Sequence, residues 1–173
     1  MHIITGLGDG GAEASLYRLV DADNSNNHIV ISLTTGGKYA DKLRLIGVDV
    51  RSFHLKLNFM LLFRLVSLAR YIKQSSPDVV QTWMYHANIL GGIAAYLVKN
   101  KNIVWSIRRS EYTRNESFTT FLIMKIGAIF SRIIPKVIVY VAESGLKNHQ
   151  KYGYASHNSI VIPNGFDLEI KRK

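Results

Sequence analysis

The stretch TGLGDGGAEASLYRLV, residues 5–20, holds Gly6, Gly8 and Gly11 in G-x-G-x-x-G spacing directly after a short apolar run. Glycines at these intervals let the backbone turn tightly and approach a ligand closely. A helix opening there aims free N–H groups and its positive dipole end at an anion. The chemistry is phosphate binding. The ligand is either a dinucleotide or another phosphate group; a tight turn that only packs helix on strand is the third reading. A nicotinamide cofactor needs an acid at the end of the second strand, about 20 residues on, to hold its ribose. That strand ends VISLTTGG, with Thr34 and Thr35 in the acid's place and no arginine for a 2′-phosphate. A nicotinamide or flavin cofactor is therefore disfavoured.

Four further sets of polar residues could do chemistry. His86, in WMYHAN, stands where a fourth strand gives way to a helix. It reads either as a structural histidine or as a phosphate donor or general base near pH 7, with Asn88 as a hydrogen-bonding companion at the same mouth. Arg108 and Arg109 follow VWSI, and a guanidinium fork suits phosphate or carboxylate. Glu143 opens a helix, where a carboxylate serves equally as a cap or as a ligand group. Asp21 and Asp23 form a D-x-D pair, but they end a helix and open the NSNN turn, so a solvated helix end is expected. With no other acid cluster, no metal is expected.

These residues need a scaffold that gathers loops at one edge. Strands are expected at 2–5, 28–34, 48–53, 78–82, 102–107, 136–141 and 159–162, and helices at 11–22, 39–46, 59–75, 87–98, 117–133 and 144–152. Runs such as DVVQT, KVIVYV and SIVIP are apolar on both faces, as in a parallel sheet covered on both sides. The fold class is α/β: a doubly wound, Rossmann-like sheet of about seven strands. With strands 3-2-1-4 side by side, the loops 6–11 and 83–88 flank the switch point. The loops after strands five and six share that cleft.

Composition bounds the rest. The 173 residues make one domain, 47% hydrophobic and 20% charged, with enough chain for a proper core. The absence of cysteine excludes disulfides, thiolate metal sites and a cysteine nucleophile. A net charge of +10 favours anionic partners. Nucleic acid is not expected, because the charge is spread and no reader element is present. Glycines follow the first apolar run at once, so no signal peptide is expected to open the chain. From Arg51 to Pro77 there is no acid, while Arg51, Lys56, Arg64, Arg70 and Lys73 supply positive charge beside FMLLFRLV. This segment is expected to meet either solvent or an anionic membrane surface.

The segments HIITGLGDGGAEASLYRLV, PDVVQTWMYHANILGGIAAYL, VWSIRRSE and VIPNGFD come in an order that resembles retaining glycosyltransferases of the GT-B class. More narrowly, the chain is similar to the group-1 (family 4) transferases of bacterial surface polysaccharide synthesis. The resemblance implies two Rossmann-like domains facing a cleft. Residues 1–163 match the acceptor-side N-terminal domain and 164–173 the start of the linker, with the donor-binding C-terminal domain outside this chain and a few more residues usual ahead of strand one. It implies a nucleoside diphosphate sugar as donor, a glycan or lipid-linked hydroxyl as acceptor, and no cofactor. Gly8, Gly10, Gly11, Glu13, His86, Asn88, Arg108, Arg109 and Glu143 then become diphosphate- or substrate-binding candidates, with His86 the catalytic candidate. Asn164, Gly165 and Asp167 match the interdomain hinge. Relatives carry histidines where this chain has Gln81-Thr82-Trp83, and often one near Arg108. The expected place is the cytoplasm, with the inner face of the membrane as the alternative that the basic segment leaves open. A nicotinamide-dependent oxidoreductase or epimerase, and a non-catalytic anion-binding module, are the competing readings. The isolated chain is expected to be inactive.

Overall fold

β-Branched side chains pack well on a pleated surface, and apolar residues spaced by 3.6 give a helix one buried stripe. The computed structural model describes residues 1–55, 59–109 and 118–165. In it these patterns alternate as β1 (His2–Ile4), α1 (Gly11–Ala22), β2 (Ile29–Ser32), α2 (Lys38–Leu45), β3 (Asp49–Ser52), α3 (Leu61–Ser75), β4 (Val80–Trp83), α4 (Met84–Leu97), β5 (Ile103–Ile107), α5 (Phe118–Phe130), β6 (Val137–Tyr140), α6 (Glu143–Lys151) and β7 (Ser159–Val161).

The seven strands form one sheet in the order β3-β2-β1-β4-β5-β6-β7. Every pairing is parallel. The order reverses between β1 and β4, where His2 pairs with Gln81 and Ile4 with Trp83. Loops leaving the carboxyl ends of these two strands therefore face each other.

Alternation along each strand divides the core in two. On one face, Ile4, Val30, Val50 and Trp83 pack against Leu16 and Val20 of α1 and Ala40 and Leu43 of α2. On the other, Ile3, Ile31, Val80, Ile103, Trp105 and Ile138 meet Leu68 and Ile72 of α3, Ala94 and Ala95 of α4, and Met124 of α5. The helix α4 packs close against the sheet. A Cβ at Gly91 would lie 2.9 Å from Ile3 Cγ2, and one at Gly92 only 2.8 Å from Trp105 Nε1. No larger residue allows that approach without displacing the strand side chains.

Beyond β4, the α1 face is open. A groove of about 750 Å³ runs beside α1, with Val104 and Val139 in its wall, and Ile160 and Ile162 are exposed. No helix among the described residues is long and apolar enough to cross a membrane.

One boundary differs from expectation. The segment 83–88 was expected to be largely loop, with a helix from 87, yet α4 starts at Met84, straight off β4. Met84 adopts φ +70°, a left-handed conformation rare for a residue with a side chain. One such residue turns the chain sharply enough that no loop is needed.

Candidate functional site

The carboxyl ends of β1, β4, β5 and β7 build a cavity of about 430 Å³ lined by Gly11, Ala12, Met84, Arg108, Arg109 and Asn164. Each wall has a local cause. Gly10 caps α1 with extended backbone and no side-chain cap, leaving the first-turn N–H groups of Gly11 and Ala12 without intrahelical partners. A Cβ at Gly11 would meet nothing within 4 Å. Packing does not require glycine here, so the bare backbone keeps the cavity open. Gly8 is likewise open, whereas Gly10 lies beneath the Glu13 carboxylate. Glu13 is the third helical residue, the position from which a capping-box glutamate curls back over the helix start.

Arg108 supplies the cavity's defined cation. Its guanidinium lies 5.1 Å above the Trp83 ring, and Nη2 donates to Asn164 Oδ1. Nε is buried without a hydrogen-bond partner among the described residues. Burial, and secondarily the charge of Arg18, lowers the Arg108 pKa from its ordinary value. It remains protonated, as any arginine does. An amide neutralises no charge, so the bond to Asn164 aims the fork and leaves the site positive. Arg108 and Asn164 also form part of the wall of the larger groove, together with Ser15 and Arg18 of α1.

The other expected site residues lie elsewhere. Asn88 is 1% exposed and points inward, not to the cleft mouth. With its amide nitrogen turned to the carbonyls, it donates to Met84 O at 3.2 Å and Thr82 O at 3.1 Å, with Thr82 Oγ1 2.7 Å away. Asn88 therefore braces the left-handed turn at Met84. His86 is exposed in the first turn of α4 and is not among the cavity's lining residues. Desolvation lowers its pKa, so its neutral form is favoured. Glu143 is exposed at the first position of α6. Gly165 borders the larger groove, and Asp167 falls outside the described residues.

Asp23 of the D-x-D pair and the end of β2 are engaged locally, whereas Asp21 lines the larger groove. Asp23 accepts from Ser25 N at 3.1 Å, Ser25 Oγ at 2.6 Å and Asn26 Nδ2 at 2.8 Å. These bonds hold its pKa down to about 2. It caps the far end of α1, about 18 Å from the glycine loop along a twelve-residue helix. Thr34 donates through Oγ1 to Thr5 O at 2.8 Å and through N at 3.0 Å. The residue standing where a ribose-binding acid belongs thus stitches β2 to β1. Among the described residues no three His, Asp or Glu side chains converge as a metal site.

Met84, Ser15 and Arg18 were not singled out from sequence, and Trp83 only as part of a segment where relatives carry histidines. Gly11, Ser15 and Arg18 follow one another at helical spacing, four and three residues apart, so Arg18 was legible as a residue on the glycine loop's face. Met84 carried no signal, because methionine is not a turn residue.

The sequence profile of Glycosyltransferase Family 4 matches residues 9–170. The chain belongs to glycosyltransferase family 4. No curated protein sequence matches it significantly. Among solved structures, this family 4 domain is similar to Anabaena Alr3699/HepE in complex with UDP and glucose, with 18% identity and TM-score 0.76 over 96% of this chain and 44% of that one. It is similar to the lipopolysaccharide outer core galactosyltransferase WaaB, with 13% identity and TM-score 0.65 over 98% and 47%. It also resembles UDP-N-acetylglucosamine 2-epimerase from Rickettsia bellii, with 15% identity and TM-score 0.64 over 95% and 45%. The chain thus spans somewhat less than half the length of these structures, and at such identities the likeness shows the fold.

Proposed function

We propose that this family 4 domain forms one wall of a cleft that transfers a sugar from a nucleoside diphosphate sugar to a hydroxyl. The observation that carries the reading is the cavity where the first turn of α1 faces Arg108 and Arg109. Its backbone N–H groups and guanidinium are set in place before an anion arrives, and preorganised donors stabilise developing negative charge most effectively. We assign Arg108 to charge stabilisation at the diphosphate or at the acceptor beside it. His86, at the same sheet edge, is the candidate for contact with the acceptor hydroxyl. Retention at the anomeric carbon, a glycan or lipid-linked acceptor and a role in surface polysaccharide synthesis belong to the same proposal. No metal is assigned to the step, since helix dipole and arginines offset the leaving group's charge. A second domain supplies the opposite wall and the rest of the donor site.

The test supplies UDP-sugars and other nucleotide sugars to the complete two-domain protein and follows nucleoside diphosphate release together with product anomer by NMR. Diphosphate release with a new glycosidic bond is expected. A sugar epimerised at C2 would favour the second reading, supported by the likeness to the Rickettsia enzyme. The chain of 173 residues alone is expected to be inactive.

A further inference from the structure

Asp23 and His28 lie at the far end of α1 from the glycine loop, yet both belong to a row of side chains that ends against Arg108. Trp83 Nε1 donates to His2 Nδ1 at 3.4 Å, and His2 Nε2 lies 3.2 Å from His28 Nδ1. His28 Nε2 is buried without a hydrogen bond among the described residues, and Asp23 Oδ2 faces it at 3.4 Å. His2 is 6% and Trp83 1% exposed, so solvent does not compete for these bonds. Half-buried Asp23 closes the row at the surface. Its own bonds to Ser25 and Asn26 hold the carboxylate still.

The chemistry of the two ends gives the row one direction. An indole N–H only donates, and an ionised carboxylate only accepts. A neutral imidazole donates at one nitrogen and accepts at the other. His2 is neutral, because burial above all pushes its pKa down to about 3. Its Nδ1 accepts from Trp83, so its proton sits on Nε2 and points at His28 Nδ1. His28 then carries its own proton on Nε2, toward Asp23. The reverse order would set an imidazole N–H against the indole N–H.

We infer that Asp23, His28 and His2 are positioning residues for Arg108: their chain fixes the edge of the Trp83 indole, whose face seats the guanidinium. Packing fills the space around an indole, but a bond at Nε1 also sets which way its edge turns and so where its face lies. Bonds that run head to tail polarise one another, and a charged acceptor at the end strengthens the whole row. The bond from Nη2 to Asn164 aims the other side of the fork. None of the three residues lines the cavity; they act through Trp83. The work Arg108 does on a diphosphate rests on the transferase reading, whereas the chain and its hold on Arg108 do not.

The experiment joins proton–nitrogen correlation NMR of the chain to kinetics of the complete two-domain protein. His2 and His28 should both appear as the Nε2–H tautomer, and an Nδ1–H form at either overturns the inference without any substitution. His28→Phe keeps a ring and removes both nitrogens, leaving His2 free to carry its proton on either side. His28→Gln keeps one acceptor and one donor. Of the two indole N–H signals, that of Trp83 should shift in His28→Phe, together with the Arg108 Nε–H signal shielded by the ring beneath it. Both should return toward the parent positions in His28→Gln. In the complete protein kcat/KM should fall about three- to tenfold in His28→Phe, the loss of one buried hydrogen bond, and His28→Gln should recover most of it. A role in packing alone gives the opposite order, with phenylalanine the better substitute. Unmoved Trp83 and Arg108 signals in His28→Phe, unaltered kcat/KM, or a glutamine variant no better than phenylalanine overturns the inference. Should His28→Phe not fold, the tautomers of the parent decide. Failure of the parent protein to transfer sugar, with the NMR results intact, would count against the transferase reading alone.

Discussion

Arg108, just past the end of β5, stacks its guanidinium 5.1 Å above the indole of Trp83 at the end of β4. A planar, weakly hydrated cation is held this way without a carboxylate, and so keeps its charge for a ligand. Arg108→Lys preserves the charge but loses the stack and the fork toward Asn164. In the complete protein it should lower kcat/KM for transfer by about tenfold or more, a loss of about 1–2 kcal/mol. Wild-type kinetics in Arg108→Lys would mean that the diphosphate is held elsewhere.

The glycines divide into two kinds with opposite expected behaviour. Gly11 faces open space, so Gly11→Val should leave the melting temperature near that of the parent while abolishing activity. At Gly91 an added methyl meets Ile3 Cγ2 at 2.9 Å. Gly91→Ala should destabilise the domain by about 1–3 kcal/mol. Thermal melts paired with activity assays separate the two, and a Gly11→Val protein of full activity would reduce the loop to a packing turn.

Asn88 gives a sharper stability test. Removing its amide leaves the Met84 and Thr82 carbonyls short of a buried donor. Asn88→Ala should cost about 1–3 kcal/mol in urea unfolding. Asn88→Asp should be worse at neutral pH, where a carboxylate would face two carbonyl oxygens, and should recover part of the loss in acid. A variant as stable as the parent would show that the turn at Met84 stands without its brace.

Acid should weaken the fold through two buried histidines. Burial, more than the neighbouring charges, depresses His2 to about 3. Burial likewise lowers the pKa of His149, which accepts or donates at 2.7 Å with the Tyr85 hydroxyl. Both stay neutral in the folded state at pH values where the unfolded chain, with histidine near 6.5, takes up protons. Their stabilising contribution is therefore full above about pH 6.5 and falls as pH drops toward 3. Each histidine steepens the decline by as much as about 1.4 kcal/mol per pH unit. Denaturant midpoints from pH 7 to 4 should fall, and His149→Gln should flatten the slope. An unchanged slope in that variant would remove His149 from the account.

Nicotinamide cofactors should not bind. The Thr34 hydroxyl is committed to Thr5 O and no acid stands in its place. Calorimetry with NADH and NADPH should show no heat of binding, and micromolar affinity would restore the oxidoreductase reading.

The alternation of strands and helices was legible in the residues because period is local information. Short valine and isoleucine runs read as strands, and α1 is predicted and found at Gly11–Ala22. Family membership was legible for a similar reason, since GDGGAE, YHAN and IPNG keep their order along the chain. What side chains do at the site was less so. Asn88 and His86 sit two residues apart, yet one is buried and the other exposed. Sequence places both near the end of β4, but only the turn at Met84 decides which faces inward. That turn is a left-handed methionine held by contacts that form when α4 seats against the sheet. In the same way, the pairing of Arg108 with Trp83 and Asn164 joins positions far apart in the chain, and only the folded sheet brings them within reach. Local pattern determined the scaffold and the loops that face one another. Long-range packing decided which of their residues meet.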